Sequence, residues 1–139
     1  MTEITDIRGA KLVFETPPGR IISLVPSLTE TLVDLGCGER IAGCTRYCTD
    51  IAGLSGSRVV GGPLDPDMDL ILSLEPDLVL AGEEENRKED IEAIGEFSPI
   101  FVCRPVTVDD AVMLVGDIGS ICGVEERAGE IIGRIEGGR

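Results

Sequence analysis

The sequence predicts an α/β fold, a three-layer sandwich in which a mostly parallel central sheet carries helices on both faces. Three observations lead there. Short apolar runs alternate with longer segments of helical periodicity along the whole chain, the pattern of parallel strands joined by helical crossovers. The runs are apolar without a polar alternation, as strands covered on both faces must be. At 139 residues the chain is long enough for one substantial core and too short for two. Residues 1–139 therefore read as a single α/β domain with a Rossmann-like sheet.

Each element has its own signal. Lys11–Glu15 reads as a short strand, and Pro17-Pro18-Gly19 turns the chain into a strand at 20–25, RIISLV. Pro26 has no N–H to offer a ladder and ends that strand. Ser27 followed by Glu30 matches an S-x-x-E capping box, so a helix is expected over 28–35, stopped by Gly36. Arg40–Cys44 and Arg58–Val60 are the next strands, the latter ending in Gly61-Gly62-Pro63. Asp67–Leu74 reads as a helix with Pro76 just past its end. Asp77–Ala81 is a buried strand, Glu84–Phe97 a charged amphipathic helix, and Pro99–Cys103 a last strand. Val108, Ala111, Val112, Val115, Ile118 and Cys122 mark a helix at 3.6-residue spacing. Ala128, Ile131, Ile132 and Ile135 mark another.

Composition removes several function classes. With 26 acidic against 12 basic side chains the net charge is -14, which repels phosphate backbones, so no nucleic-acid partner is expected. The four aromatics, Phe14, Tyr47, Phe97 and Phe101, are too few for a base-stacking platform. There is no histidine, hence no Ser-His-Asp triad, no Cys-His pair and no histidine-bound metal within this chain. No P-loop or G-x-G-x-x-G spacing occurs. The five cysteines are odd in number and scattered, unlike a disulfide framework. Cys37, Cys103 and Cys122 read as small core residues. A soft-metal or redox role is open to Cys44 and Cys48, four apart in a loop, but no C-x-x-C pair supports it. No signal peptide or membrane-spanning run is visible, so as written the chain reads as cytoplasmic.

The strand-to-helix junctions would converge on the carboxyl edge of a parallel sheet, where open α/β folds bind ligands. They bring Pro26, Ser27 and Thr29, then Thr45, Arg46 and Tyr47, then Gly61 and Gly62, then Glu83, Glu84, Glu85, Asn86 and Arg87. Gly61-Gly62 also fits a plain tight turn. The acidic run also fits favourable charge at a helix start. Tyr47 stands apart: between two hydrophilic residues it is poorly explained as core, and it offers a ligand both a flat face and a hydroxyl.

RIISLVPSLTETLVDLG, ERIAGCTRYC, VVGGPLDPDMDLILSLEPDLVLA and EEENRKEDIEAI together resemble the N-terminal lobe of ABC-importer substrate-binding proteins. The subgroup is the one with a helical backbone, which captures cobalamin, iron-siderophores or haem. R-I-I-S-L-V-P-S-L-T-E and L-E-P-D-L-V carry most of the resemblance, which runs from about residue 6 to residue 136. The resemblance implies one lobe of a bilobal fold, with residues 124–139 the start of the helix joining the lobes and the second lobe absent. It also implies a non-enzymatic protein, located in the periplasm or anchored outside the membrane. The ligand would be a metal chelate, cobalamin, haem or a ferric siderophore, with no cofactor or metal of the protein's own. Pro26, Ser27, Thr29, Arg46, Tyr47, Gly61, Gly62, Glu84 and Asn86 would line its site. Asp69 would fall where relatives carry an acid that docks onto the importer's membrane permease, with Asp here where Glu is usual.

Two other readings stand beside this one: a small nucleotide-binding or enzymatic domain, and a self-associating module without a small-molecule ligand. The apolar stripe of Ile131, Ile132 and Ile135 must fold back on the lobe or find another surface. A two-fold homodimer is expected, with a monomer that packs helix 125–136 as its final layer as the alternative.

Overall fold

The structure is a computed structural model that describes residues 1–48, 50–54 and 56–138. Strands β1 (Thr2–Thr5) and β2 (Lys11–Phe14) form an antiparallel hairpin. The main sheet is built from β3 (Ile21–Ser23), β4 (Ile41–Cys44), β5 (Arg58–Val59), β6 (Leu78–Gly82) and β7 (Ile100–Cys103). Its order is β5-β4-β3-β6-β7 and every pairing is parallel. Helices α1 (Pro26–Asp34), α2 (Met68–Ser73), α3 (Lys88–Gly95), α4 (Val108–Cys122) and α5 (Glu125–Gly137) make the crossovers and the outer layers.

Alternate residues of each central strand feed two cores. Ile21, Leu78, Leu80 and Phe101 meet α1, α4 and α5 on one face. Ile22, Val79, Ala81, Ile100 and Val102 meet α2 and α3 on the other. Burial on both faces explains why the strands read as continuous apolar runs. The chain leaves β3 for β4 and β5, then returns to β3's other side for β6 and β7. That makes the carboxyl ends of β3 and β6 the switch point of the sheet.

Several boundaries differ from the sequence reading. Strand β1 was not expected. It exists because the turn after it is tied to the main sheet: the buried Asp6 carboxylate accepts from Val102 N (3.1 Å) and pairs with Arg8 (2.7 Å). Helix α1 starts at Pro26 with Val25 as its cap, and no side chain caps it. Proline's fixed φ suits the first helical position, so Ser27 lies inside the helix and is exposed, and the expected Ser27–Glu30 capping box does not form. The helix expected from Glu84 begins only at Lys88, leaving 83–87 as a turn. A capping box does occur elsewhere, at Thr107 and Asp110 of α4.

Helix α5 packs along α4, where Gly119 allows the crossing: a Cβ there would meet the Cβ of Ala128. Ile131, Ile132 and Ile135 are half-buried against the core. Part of the apolar stripe is thus covered within the chain, as the monomer alternative expects.

The two capping sites give opposite expectations. Thr107→Ala should cost about 1 kcal/mol, the usual worth of a side-chain cap, whereas Ser27→Ala should stay within about 0.5 kcal/mol of the parent. Urea unfolding midpoints of the two variants check this, and equal losses would restore a capping role to Ser27.

Candidate functional site

Five loops meet at the carboxyl edge of the sheet, in the order set by the strands: the β5, β4, β3, β6 and β7 ends. From β4 comes a single 3-10 turn, Arg46–Cys48, that pushes Tyr47 outward to 64% exposure. Arg46 N donates to Gly61 O (2.9 Å), and its guanidinium makes two bonds to Asp65 at 2.9 and 3.2 Å. The guanidinium carbon also lies 5.9 Å from the Tyr47 ring centre, within cation–π range. Hydrogen bonding from Arg46 holds the Asp65 carboxyl below the usual carboxylate range. The same bonds, with help from Tyr47, push Arg46 up.

Gly61 has φ +97°, a left-handed conformation, and a Cβ there would collide with the backbone of Asp65–Asp67. Only glycine fits. Gly62 is buried, because the Arg46–Asp65 ion pair lies over it. The ion pair thus closes what the sequence presents as an open glycine surface.

At the switch point itself stands Asn86, only 5% exposed. Its Oδ1 accepts from Gly82 N (2.9 Å), and its Nδ2 donates to Leu24 O (3.3 Å) and Pro63 O (3.2 Å). One amide therefore fastens the loops after β3, β5 and β6 and fills the crevice between β3 and β6. Thr29 also points inward, with no exposure. Its hydroxyl is 2.8 Å from Ser23 Oγ and 3.2 Å from Val25 O.

Of the nine residues named from the sequence, all lie on this edge, but they divide in two. Ser27, Arg46, Tyr47 and Glu84 are exposed, with Pro26 and Gly61 half-buried. Thr29, Gly62 and Asn86 are buried and support the others. The structure joins Arg46 to Gly61 directly and sets it against the Tyr47 ring, and the remaining exposed members are neighbours through the strand order. Glu84 pairs with Arg104 at 3.1 Å. Arg104, Asp65 and the 62% exposed Leu64 belong to the edge and were missed. Arg104 directly follows a predicted strand and was findable by the same rule as the others. Asp65 and Leu64 carried no signal, since only the turn at Gly61 bends them back over the edge. Asp69 is exposed in the first turn of α2, next to Asp67, whose carboxylate caps that helix by accepting from Leu70 N (3.1 Å). Because α2 follows β5, its start stands on the same edge.

The family model described as "Periplasmic binding protein" matches residues 21–137. An uncharacterized ABC transporter substrate-binding lipoprotein, YvrC of Bacillus subtilis, is 28% identical over 138 residues, covering 93% of this chain and 42% of the relative. A vitamin B12-binding protein of Pectobacterium carotovorum is 32% identical over 94 residues, 67% of this chain and 34% of the relative. The crystal structure of the haem-binding protein HmuT superposes with a TM-score of 0.80 at 26% identity, over 95% of this chain and 44% of that one. The chain spans less than half the length of each of these relatives.

The fastening role of Asn86 has a measurable consequence. Asn86→Asp keeps the size but removes the donor, setting a carboxylate against the carbonyls of Leu24 and Pro63. It should cost about 3 kcal/mol in urea unfolding, at least as much as Asn86→Ala. A change below about 1 kcal/mol would mean that the three loops are held by other contacts.

Proposed function

The chain belongs to the periplasmic binding protein family, and on that premise we propose that it is a ligand-binding lobe of an ABC-importer substrate-binding protein. Cobalamin or a related metal chelate, haem or a ferric siderophore, is its ligand. The observation that carries this reading is Tyr47, the chain's one tyrosine, held outward on a 3-10 turn at the carboxyl edge. Flat macrocycles present apolar faces and polar rims. Tyr47 and Leu64 suit the face, and Ser27, Arg46 and Arg104 suit the rim. The names of the vitamin B12- and haem-binding relatives support the same ligand class.

The proteins of this family are binding proteins and not enzymes, and the edge agrees with that class. Glu84 is engaged by Arg104, where general acid–base work needs two groups aimed at one point. Asp69, exposed on the same edge, is proposed as the contact for a basic surface of the importer's membrane permease. The inward-facing Thr29, Gly62 and Asn86 act as supports for the loops that touch the ligand.

Small-molecule sites usually bury ~70–90% of their ligand, and one lobe offers a single wall, so affinity for this chain alone should be modest. Equilibrium dialysis against cyanocobalamin, haemin and a ferric hydroxamate tests the reading. At least one chelate should bind saturably, and Tyr47→Ala should weaken it by roughly 3- to 10-fold, the worth of a ring contact. Asp69→Lys should leave that binding unchanged. No saturable binding of any of the three at millimolar concentration would overturn the assignment, and binding indifferent to Tyr47→Ala would move the ligand off this face.

A further inference from the structure

The fold sorts the five cysteines in a way the sequence does not show. Cys103 stands alone at the end of β7, its thiol pushed up to about 12 by burial, with Glu85 adding to the effect. The other four lie as two couples, Cys37 with Cys122 and Cys44 with Cys48, the thiols of each couple close enough to shift one another's titration. The second couple sits directly beneath the turn that carries Arg46 and Tyr47. Cys44 is the last residue of β4, and Cys48 closes the turn, its N–H donating to Thr45 O at 3.0 Å.

The surroundings of this couple are unusual for core cysteines. Cys44 and Cys48 are 2% and 0% exposed, yet hydroxyls crowd them. Thr29 Oγ1 and Thr45 Oγ1 lie 3.2 and 3.3 Å from Cys48 Sγ, and Ser57 Oγ donates to Cys44 Sγ at 3.5 Å. Burial alone would raise both thiols, as it does Cys103. Instead Cys48 is lowered to about 5, first by the Cys44 thiol and then by the Thr29 and Thr45 hydroxyls, against the opposing effect of burial. Its partner Cys44 is raised, by the Cys48 thiol and by burial. Two neighbouring thiols, one of them ringed by hydroxyls that favour its thiolate, are the arrangement of a nucleophile with its resolving partner.

We propose that Cys44 and Cys48 are a redox modification site, a dithiol that low-molecular-weight disulfides close to an intramolecular disulfide, and that this bond resets the turn presenting Arg46 and Tyr47. The Cys48 thiolate attacks one sulfur of the small disulfide, forming a mixed disulfide and expelling one small thiolate. That thiolate takes the proton from Cys44. The Cys44 thiolate then attacks the Cys48 sulfur, and the second small thiolate leaves and is protonated from solvent. Two protein thiols are oxidised and one small disulfide is reduced to two thiols. Both sulfurs are buried, so exchange proceeds through local opening of the 46–48 turn.

Bonding draws the two neighbouring sulfurs to about 2.05 Å, and the movement falls on the turn. Cys44 is held in the sheet, paired with Ser23 on one side and Val59 on the other. Closure also turns the Cys48 thiol that Thr29 and Thr45 now face into a disulfide sulfur, a poorer hydrogen-bond partner. The cross-link itself rests on the fold alone and is independent of any ligand.

The sequence supplies two convenient readouts. Arg46 lies between the two cysteines, so trypsin separates them into peptides 41–46 and 47–58, which only a disulfide can hold together. Tyr47 is the single tyrosine in a chain without tryptophan, so its emission reports on the turn and is quenched by an adjacent disulfide. The full chain is incubated with oxidised glutathione, then denatured, alkylated and digested. Two of the five thiols should be lost to alkylation, peptides 41–46 and 47–58 should appear linked, and tyrosine emission should fall and recover with reductant. Cys44→Val, which keeps the buried volume, should show no linked pair and should retain glutathione on Cys48. Five alkylatable thiols after oxidation would overturn the proposal, as would a bond mapping to Cys37 and Cys122 alone. Linked peptides with unchanged tyrosine emission would overturn the effect on the turn.

Discussion

Everything in this fold depends on the burial of β3 and β6 on both faces. The two strands lie side by side at the centre of the sheet, and Ile21, Ile22, Leu78, Val79, Leu80 and Ala81 have almost no exposure. A parallel pair of this kind cannot be joined by a tight turn, so its connections must be crossovers. The crossovers supply the helices that cover both faces, and the chain must depart from β3 in both directions. The loops at the carboxyl edge are a by-product of that requirement. Where most such sheets leave a crevice between the diverging loops, this one places the Asn86 amide, with three hydrogen bonds to three loops. The exposed part of the edge is therefore raised above the switch point, onto Tyr47, Ser27 and Leu64.

Beneath that surface runs a seam of small polar groups. Ser23, Thr29 and Thr45 have no exposure, and a hydroxyl buried without a partner costs about 1–3 kcal/mol. They meet that cost among themselves and with sulfur: Ser23 donates to Val25 O at 3.0 Å, Thr29 reaches Ser23, and both threonines reach Cys48. No buried side-chain nitrogen or oxygen is left without a partner among the described residues. The β3 and β4 loops are thus joined underneath by hydroxyl and thiol contacts, while the β4 and β5 loops are joined above by the Arg46–Asp65 ion pair. The first connection is dry, the second wet.

The sheet was legible because two-sided burial leaves a plain mark, an apolar run bounded by turn residues, and each such run proved to be a strand of the main sheet. The helices were legible where their apolar faces are long, as in α4. What failed was what depends on tertiary contact. The 1–5 segment becomes a strand only because Asp6 and Arg8 anchor the hairpin turn to β7. The start of α1 was misplaced because Pro26 competes with Ser27 for control of the helix start, and a fixed φ won over a side-chain hydrogen bond. Glu84–Arg87 looked helical by composition, yet Asn86 is drawn inward to the three loops and its backbone follows. The edge residues were identified by position along the strands, a rule that knows where loops emerge but not which way a side chain turns. Hence Thr29 and Asn86 were grouped with Tyr47, although they face the opposite way.

The division between dry support and wet surface also bears on how such an edge could receive a ligand. Its two ion pairs, Arg46–Asp65 and Arg104–Glu84, are about half exposed on every member. Pairs so placed contribute only about 0–1 kcal/mol. A carboxylate or amide on a ligand rim can replace Asp65 or Glu84 at little cost, since each arginine exchanges one partner for another. The buried hydroxyls and Asn86 have no such freedom, because breaking any of those bonds leaves a group unpaired inside the protein. The edge is therefore rigid in its framework and exchangeable in its outermost charges. With both cysteines reduced, the framework keeps Tyr47 outward while each arginine can change its partner. An exchange of partner at Arg46 or Arg104 therefore leaves the buried hydroxyls and Asn86 as they are.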